Sequence, residues 1–216
     1  IMDGLVGSEM CIRDSLNKPL LLYRQLLQWL GGIGIVVLVL AILPILGVGG
    51  MYLYKAETSS PVKDNKLSPR ITETAKSLWG VYIVLTIACA VLYKIAGMSY
   101  FDAIGHSFST VSIGGFSTHD ASIGFYSSDL IKIICMVFMF LSALNFVLHF
   151  LFYKNKSLTV YTSNSEMKSF LLIIIILLLL VAIFSTGGRT QSIENIDIMF
   201  HILSFATTSG FTVSNY

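Results

Sequence analysis

Two short clusters hold the residues of this chain best suited to chemistry: Ser112-Ile113-Gly114-Gly115 and Thr207-Thr208-Ser209-Gly210, which lie 95 positions apart. Neither contains an acid, a base or a thiol, so each offers backbone carbonyl oxygens and small hydroxyls. Carbonyls released from secondary structure can replace part of a cation's hydration shell. Glycine suits such a turn because it reaches positive φ without a Cβ clash, which lets neighbouring carbonyls face one way. The lack of a carboxylate favours a monovalent cation over a divalent one, whose sites use Asp or Glu. Five residues beyond each final glycine stand Asp120 and Asn215, candidates for an outer mouth. A carboxylate at Asp120 would concentrate cations there, and the amide at Asn215 argues that the charge is not required.

Other polar pairs read as structure. Asp102 with His106 and Asp197 with His201 are i, i+4 pairs present in both copies, where a buried His orients a helix through a hydrogen bond. His119-Asp120 is half of a zinc site with no third ligand, so no transition metal is expected. Asn145 and His149 form another i, i+4 pair, read as packing between spans. No G-x-S-x-G or H-E-x-x-H pattern occurs, and neither an enzyme nor a cofactor is expected. Cys11, Cys89 and Cys135 have no metal-type spacing and read as small hydrophobes.

The clusters need elements to position them, and these are written twice. FDAIGHSFSTVSIGGFSTHD and IDIMFHILSFATTSGFTVSN keep one internal spacing, the mark of a repeated structural unit. The chain is 55% hydrophobic and 12% charged, with a mean hydropathy of +0.78, far from the roughly 25% charged norm of soluble domains. Its net charge of +2 carries no basic run that would suggest nucleic acid. Charge-free runs at residues 25–54, 77–93, 133–153 and 169–188 match the roughly 20 residues of a spanning helix. The first, with Pro44 inside it, should bend or break there. Ser99 and Asp102 open a helix over residues 100–111, about 18 Å long, which enters a bilayer without crossing it. Its chain must turn at residues 112–115 and return to the side it came from. Non-helical backbone at that depth is tolerated where it is buried in protein or lines a water-filled cavity.

Lys55, Lys63, Lys66, Arg70 and Lys76 fall in one loop, and Lys154, Lys156 and Lys168 in another. The positive-inside rule makes both loops cytoplasmic and puts both clusters on the outer side of the cell membrane. Arg24 runs mildly against this. Two spans separate the copies, so they are parallel repeats related by an axis along the membrane normal.

At LLQWLGGIGIVVLVLAILPILGVGGMYLYKAE, ITETAKSLWGVYIVLTIACAVLY, FDAIGHSFSTVSIGGFSTHDASIG, ALNFVLHF and SFATTSGFT the chain resembles the superfamily of potassium transporters that includes bacterial Trk and Ktr and plant HKT proteins, and is nearest to the Trk branch. The resemblance runs from about Leu16 to Tyr216. It implies an all-α integral membrane protein of tandem helix, pore-loop and helix units in parallel pseudo-symmetry around a pore, incomplete at both ends. Residues 16–56 would close unit one, 57–153 form unit two, and 154–216 begin unit three. Residues 1–15 resemble nothing in the family and read as a disordered or non-native leader. The filter oxygens would come from Ser112, Ile113, Gly114, Gly115, Thr207, Thr208, Ser209 and Gly210, with potassium as the transported ion. Glycine at both 115 and 210 favours potassium over sodium. The resemblance also implies a cytoplasmic nucleotide-binding regulatory subunit and a homodimeric full-length parent, with the fragment inactive alone. The alternative reading is a secondary transporter that binds an organic substrate between broken helices.

Overall fold

The computed structural model describes residues 16–42, 71–185 and 195–213. The leader of residues 1–15, the bend near Pro44, the basic loop over residues 55–70 and Asn215 lie outside the described residues. Among those described, the chain is helical and has no strand. The helices are α1 (Lys18–Ile42), α2 (Ile71–Ile95), α3 (Tyr100–Val111), α4 (Asp129–Ala143), α5 (Phe146–Asn155), α6 (Thr159–Ser163), α7 (Ser165–Ser185) and α8 (Asn195–Ala206), with a 3-10 turn at Ser122–Phe125.

The stretch Ser77–Ile95 of α2 is long and apolar enough to cross a membrane. Its two faces differ: Leu78, Tyr82, Cys89 and Tyr93 are buried, whereas Ile83, Val84, Ile87 and Val91 are exposed. The second stripe repeats at helical steps and would be costly to expose to water, but is natural against lipid. On α7 the exposed apolar residues, among them Leu172, Ile173, Ile176 and Leu179, form one broad face, and Ile174, Leu177 and Leu178 on the other side are half-buried.

The single span expected over residues 133–153 is instead broken. α4 and α5 meet at a 92° bend. Leu144 is extended at φ −75° and ψ 150°, and the Asn145 side chain accepts the Val147 N–H at 3.0 Å to start α5. His149 Nε2–H donates to the Leu141 carbonyl at 2.9 Å, satisfying an oxygen at the end of α4. Its Nδ1 then accepts the Tyr161 hydroxyl at 2.8 Å. Asn145 and His149, expected to join separate spans, serve first to end one helix and begin the next.

α3 and α8 are the short helices of the two copies, each 12 residues long and displaced by 95 positions. Ser99 caps α3, accepting the Asp102 N–H at 3.1 Å while its hydroxyl donates to Asp102 Oδ2 at 2.7 Å. α3 packs against α1, α2 and α4, and α8 against α4 and α7. A continuous core of Tyr82, Tyr93, Met98, Val111, Cys135, Met139, Phe200 and Phe211 joins both copies.

Candidate functional site

α3 and α8 end in the same way, bond for bond. After α3, Ile113 N–H donates to the Thr110 carbonyl at 3.2 Å and Gly114 N–H to the Ser109 carbonyl at 2.8 Å. After α8, Thr208 N–H donates to Phe205 at 3.0 Å and Ser209 N–H to Ser204 at 2.9 Å. This crossed pair of bonds is the Schellman ending, whose left-handed position glycine usually fills. Here β-branched residues fill it, with Ile113 at φ 55° and Thr208 at φ 59°. The left-handed region recurs two residues later, at Gly115 (φ 66°) and Gly210 (φ 77°). Each loop thus alternates in hand, with its first N–H groups engaged by the helix behind it. Carbonyl oxygens are what such a loop has to present. Backbone strain of this kind, about 1–3 kcal/mol per residue, persists only where the surroundings hold it in place.

The two loops touch. A Cβ on Gly115 would overlap the Ser209 carbonyl and come within 3.1 Å of the Gly210 carbonyl carbon. Gly210, in the same conformation, has no described atom within 4 Å of its Cβ position. Behind the first loop lies α1: a Cβ on Gly114 would overlap the Gln28 side chain, and one on Gly32 would meet Ser112 Cβ at 2.9 Å. Of the glycines at 31, 32 and 34, Gly32 alone makes this close approach. Behind the second loop lies α4, where the Ser209 hydroxyl donates to Met139 Sδ at 2.9 Å. Gln28 and Met139 therefore occupy matching places behind Gly114 and Ser209.

The chain leaving each loop is also fixed. His106, fully buried, donates from Nδ1 to the Asp102 carbonyl at 2.9 Å, which leaves Nε2 to accept the Ser117 hydroxyl at 2.9 Å. Ser117 Oγ in turn accepts the His119 N–H at 3.0 Å. In the second copy the Ser204 hydroxyl donates to the Phe211 carbonyl at 2.8 Å. Beyond the first loop Thr118 donates to Asp102 Oδ1 at 2.7 Å, and His119 Nε2 lies 3.5 Å from the same oxygen. Burial raises the Asp102 pKa, but the Thr118 and Ser99 hydroxyls and the two imidazoles outweigh it, leaving the carboxyl below its usual range. Beside it, burial and the Asp102 charge push the Tyr126 phenol up. Across the copies, Lys132 of α4 pairs with Asp197 of α8 at 2.7 Å.

The eight cluster residues thus form two adjacent loops. Asp120 follows the first loop, half-buried in a turn. Gln25, Gln28 and Met139 were not legible as partners of the loops; the only hint was a pair of glutamines one turn apart in a charge-free run. Gln25 is buried, with its side-chain amide 3.5 Å from the Phe116 carbonyl.

A family model described as TrkH, cation transport protein, matches residues 6–187. The Trk system potassium uptake protein TrkH of Halomonas elongata is 50% identical over 207 residues, 94% of this chain and 42% of that protein. That of Salmonella typhimurium is 50% identical over 205 residues, with the same coverage. The crystal structure of the potassium transporter TrkH from Vibrio parahaemolyticus matches with a TM-score of 0.76 at 43% identity, over 94% of this chain and 41% of that one. The chain therefore spans about 42% of the length of these relatives.

Proposed function

The chain belongs to the TrkH family of cation transport proteins, and from that membership we propose that it is part of a potassium uptake protein. In this reading the carbonyls of residues 112–115 and 207–210 coordinate a partly dehydrated K+ ion. The observation that carries the proposal is the matched pair of left-handed loops meeting at Gly115 and Ser209. Selectivity comes from the number and field of these oxygens, and conduction from binding weak enough to release the ion. No bond is made or broken in the transported species, and the protein is a transporter rather than an enzyme. α1 closes a first unit, residues 57–153 form a second and residues 154–216 begin a third, with both loops entering from the outer side. A cytoplasmic nucleotide-binding regulator and a homodimeric assembly of the full-length parent belong to the same proposal.

The test is ion uptake by the full-length parent in cells lacking other potassium uptake. Gly115→Ser and Gly210→Ser are each expected to reduce discrimination against Na+ while the protein still reaches the membrane. Selectivity unchanged in both variants would reject the assignment of these loops as the filter.

A further inference from the structure

Among the described residues, Ser122 is the one strained residue near the loops that the filter reading does not use. It lies in the outer turn of the first copy, is 4% exposed and adopts φ 56° without being glycine. Its hydroxyl accepts the N–H of Thr212 at 3.3 Å, across 90 residues of chain. Two residues along the turn, Gly124 N–H donates to the carbonyl of the same Thr212 at 3.2 Å. Both backbone groups of Thr212 are therefore held by one turn, and Thr212 lies two residues beyond Gly210. The approach is close: a Cβ on Gly124 would overlap the Val213 carbonyl.

The turn is built to hold its shape. Ser122 N–H donates to the His119 carbonyl at 3.1 Å and Tyr126 N–H to Ile123 at 3.1 Å. Ile123 is fully buried, and the rings of His119 and Phe125 stack at 3.6 Å. The residue between Gly210 and Thr212, Phe211, is 1% exposed and lies over the His106 ring at 6.4 Å. Gly210 itself is exposed and left-handed, and within its own copy the Ser204 hydroxyl holds the Phe211 carbonyl that follows it.

We propose that the outer turn Ser122–Phe125 of one copy is a clasp that sets the filter geometry of the next, with Ser122 and Gly124 as positioning residues for the Gly210 loop. The proposal rests on the filter reading above. Its action is purely geometric: bracketing Thr212 fixes the direction in which the chain leaves Gly210, and hence the aim of the carbonyls before it. A filter whose field depends on oxygen placement loses discrimination when that placement relaxes.

The experiment compares K+ and Na+ competition against Rb+ uptake for the full-length parent, with membrane abundance measured in parallel. Gly124→Ala pushes on the Val213 carbonyl. Ser122→Gly removes the hydroxyl while remaining at ease in the left-handed conformation. Each is expected to lower the K+:Na+ discrimination ratio about fivefold, the effect of one lost neutral hydrogen bond. Ser127→Ala, exposed on the same outer segment, is expected to leave the ratio unchanged. Should Gly124→Ala fail to accumulate, Ser122→Gly decides alone. Unchanged ratios in the clasp variants beside an altered ratio in Gly210→Ser overturn the clasp and keep the filter. No change even in Gly115→Ser and Gly210→Ser removes the filter and the clasp together. Loss of both clasp variants from the membrane makes the turn a folding element only, and that too overturns the proposal.

Discussion

Gly115→Ala, in the full-length parent, is the sharpest perturbation the structure offers, because one methyl group meets two separate obstacles. The first is local: Gly115 has φ 66°, where a Cβ costs about 1–2 kcal/mol. The second lies across the loop contact, where the new carbon overlaps the Ser209 carbonyl; forcing a methyl into a packed site costs about 1–3 kcal/mol. The sum is about 2–5 kcal/mol. Even its lower end, borne at the proposed ion site, corresponds to about 30-fold in KM for K+ or in the K+:Na+ ratio. Gly97→Ala is the matched reference. Gly97 also has a positive φ, 107°, but no atom within 4 Å of its Cβ position, so it carries backbone strain without the second obstacle. The assay is concentration-dependent Rb+ uptake with Na+ competition, normalised to protein in the membrane. Gly115→Ala should transport poorly and discriminate poorly, while Gly97→Ala should change abundance and leave the ratio alone. A wild-type KM and ratio for Gly115→Ala would refute the close approach of the two loops, and equal shifts in both variants would assign the effect to backbone strain alone.

Removing either partner of the Lys132–Asp197 pair, with side chains 10% and 16% exposed, should lower the thermal midpoint of the purified protein, at a cost of up to about 3–5 kcal/mol. Replacing both by apolar residues should recover most of the loss, and a double-mutant cycle in detergent measures the coupling. His149→Leu should destabilise the α4–α5 elbow by about 1–3 kcal/mol, since a donor to the Leu141 carbonyl is lost. Tyr161→Phe, which removes one of the two hydrogen bonds of the same ring, should cost less in the same denaturation assay. Asp102 has a folded pKa below its unfolded value, so its contribution is present above the ordinary carboxylate range near pH 4 and is lost as pH falls through the folded value. The stability gap between wild type and Asp102→Asn should therefore hold at neutral pH and close in acid, as read from melting curves across pH 2–6.

The repeat was legible because spacing is a one-dimensional property. The helix expected over residues 100–111 spans Tyr100–Val111, and its echo spans Asn195–Ala206. Positive φ at Gly115 and Gly210 follows from residue type. Ile113 and Thr208 do not follow: β-branched residues disfavour the left-handed region, and only the helix ending and the packing around it hold them there. The break at Leu144 was hidden because the charge-free run around it contains neither proline nor glycine, and hydropathy registers composition without regard to direction. The partners behind the loops were hidden for a different reason. Gln28 meets Gly114 and Met139 meets Ser209 across 86 and 70 positions respectively, and no periodicity within a helix encodes such a meeting.

The contact between Gly115 and the Ser209 carbonyl also has a sense. The two copies do not meet through the same surface, as the halves of a two-fold dimer would: one offers the glycine face and the other the carbonyl preceding its own glycine. Gly210 has no described atom within 4 Å on the face that Gly115 presents toward Ser209. In assemblies of separate chains such a heterologous contact is never satisfied by a pair; repeating its rotation produces either a closed ring or an open spiral. Here the operation is applied along one polypeptide, and in the proposed filter the rotation from one loop to the next would set how many loops close a circle. Under that proposal the aperture is a property of the rotation, and a change at one inter-loop contact is felt at its neighbours.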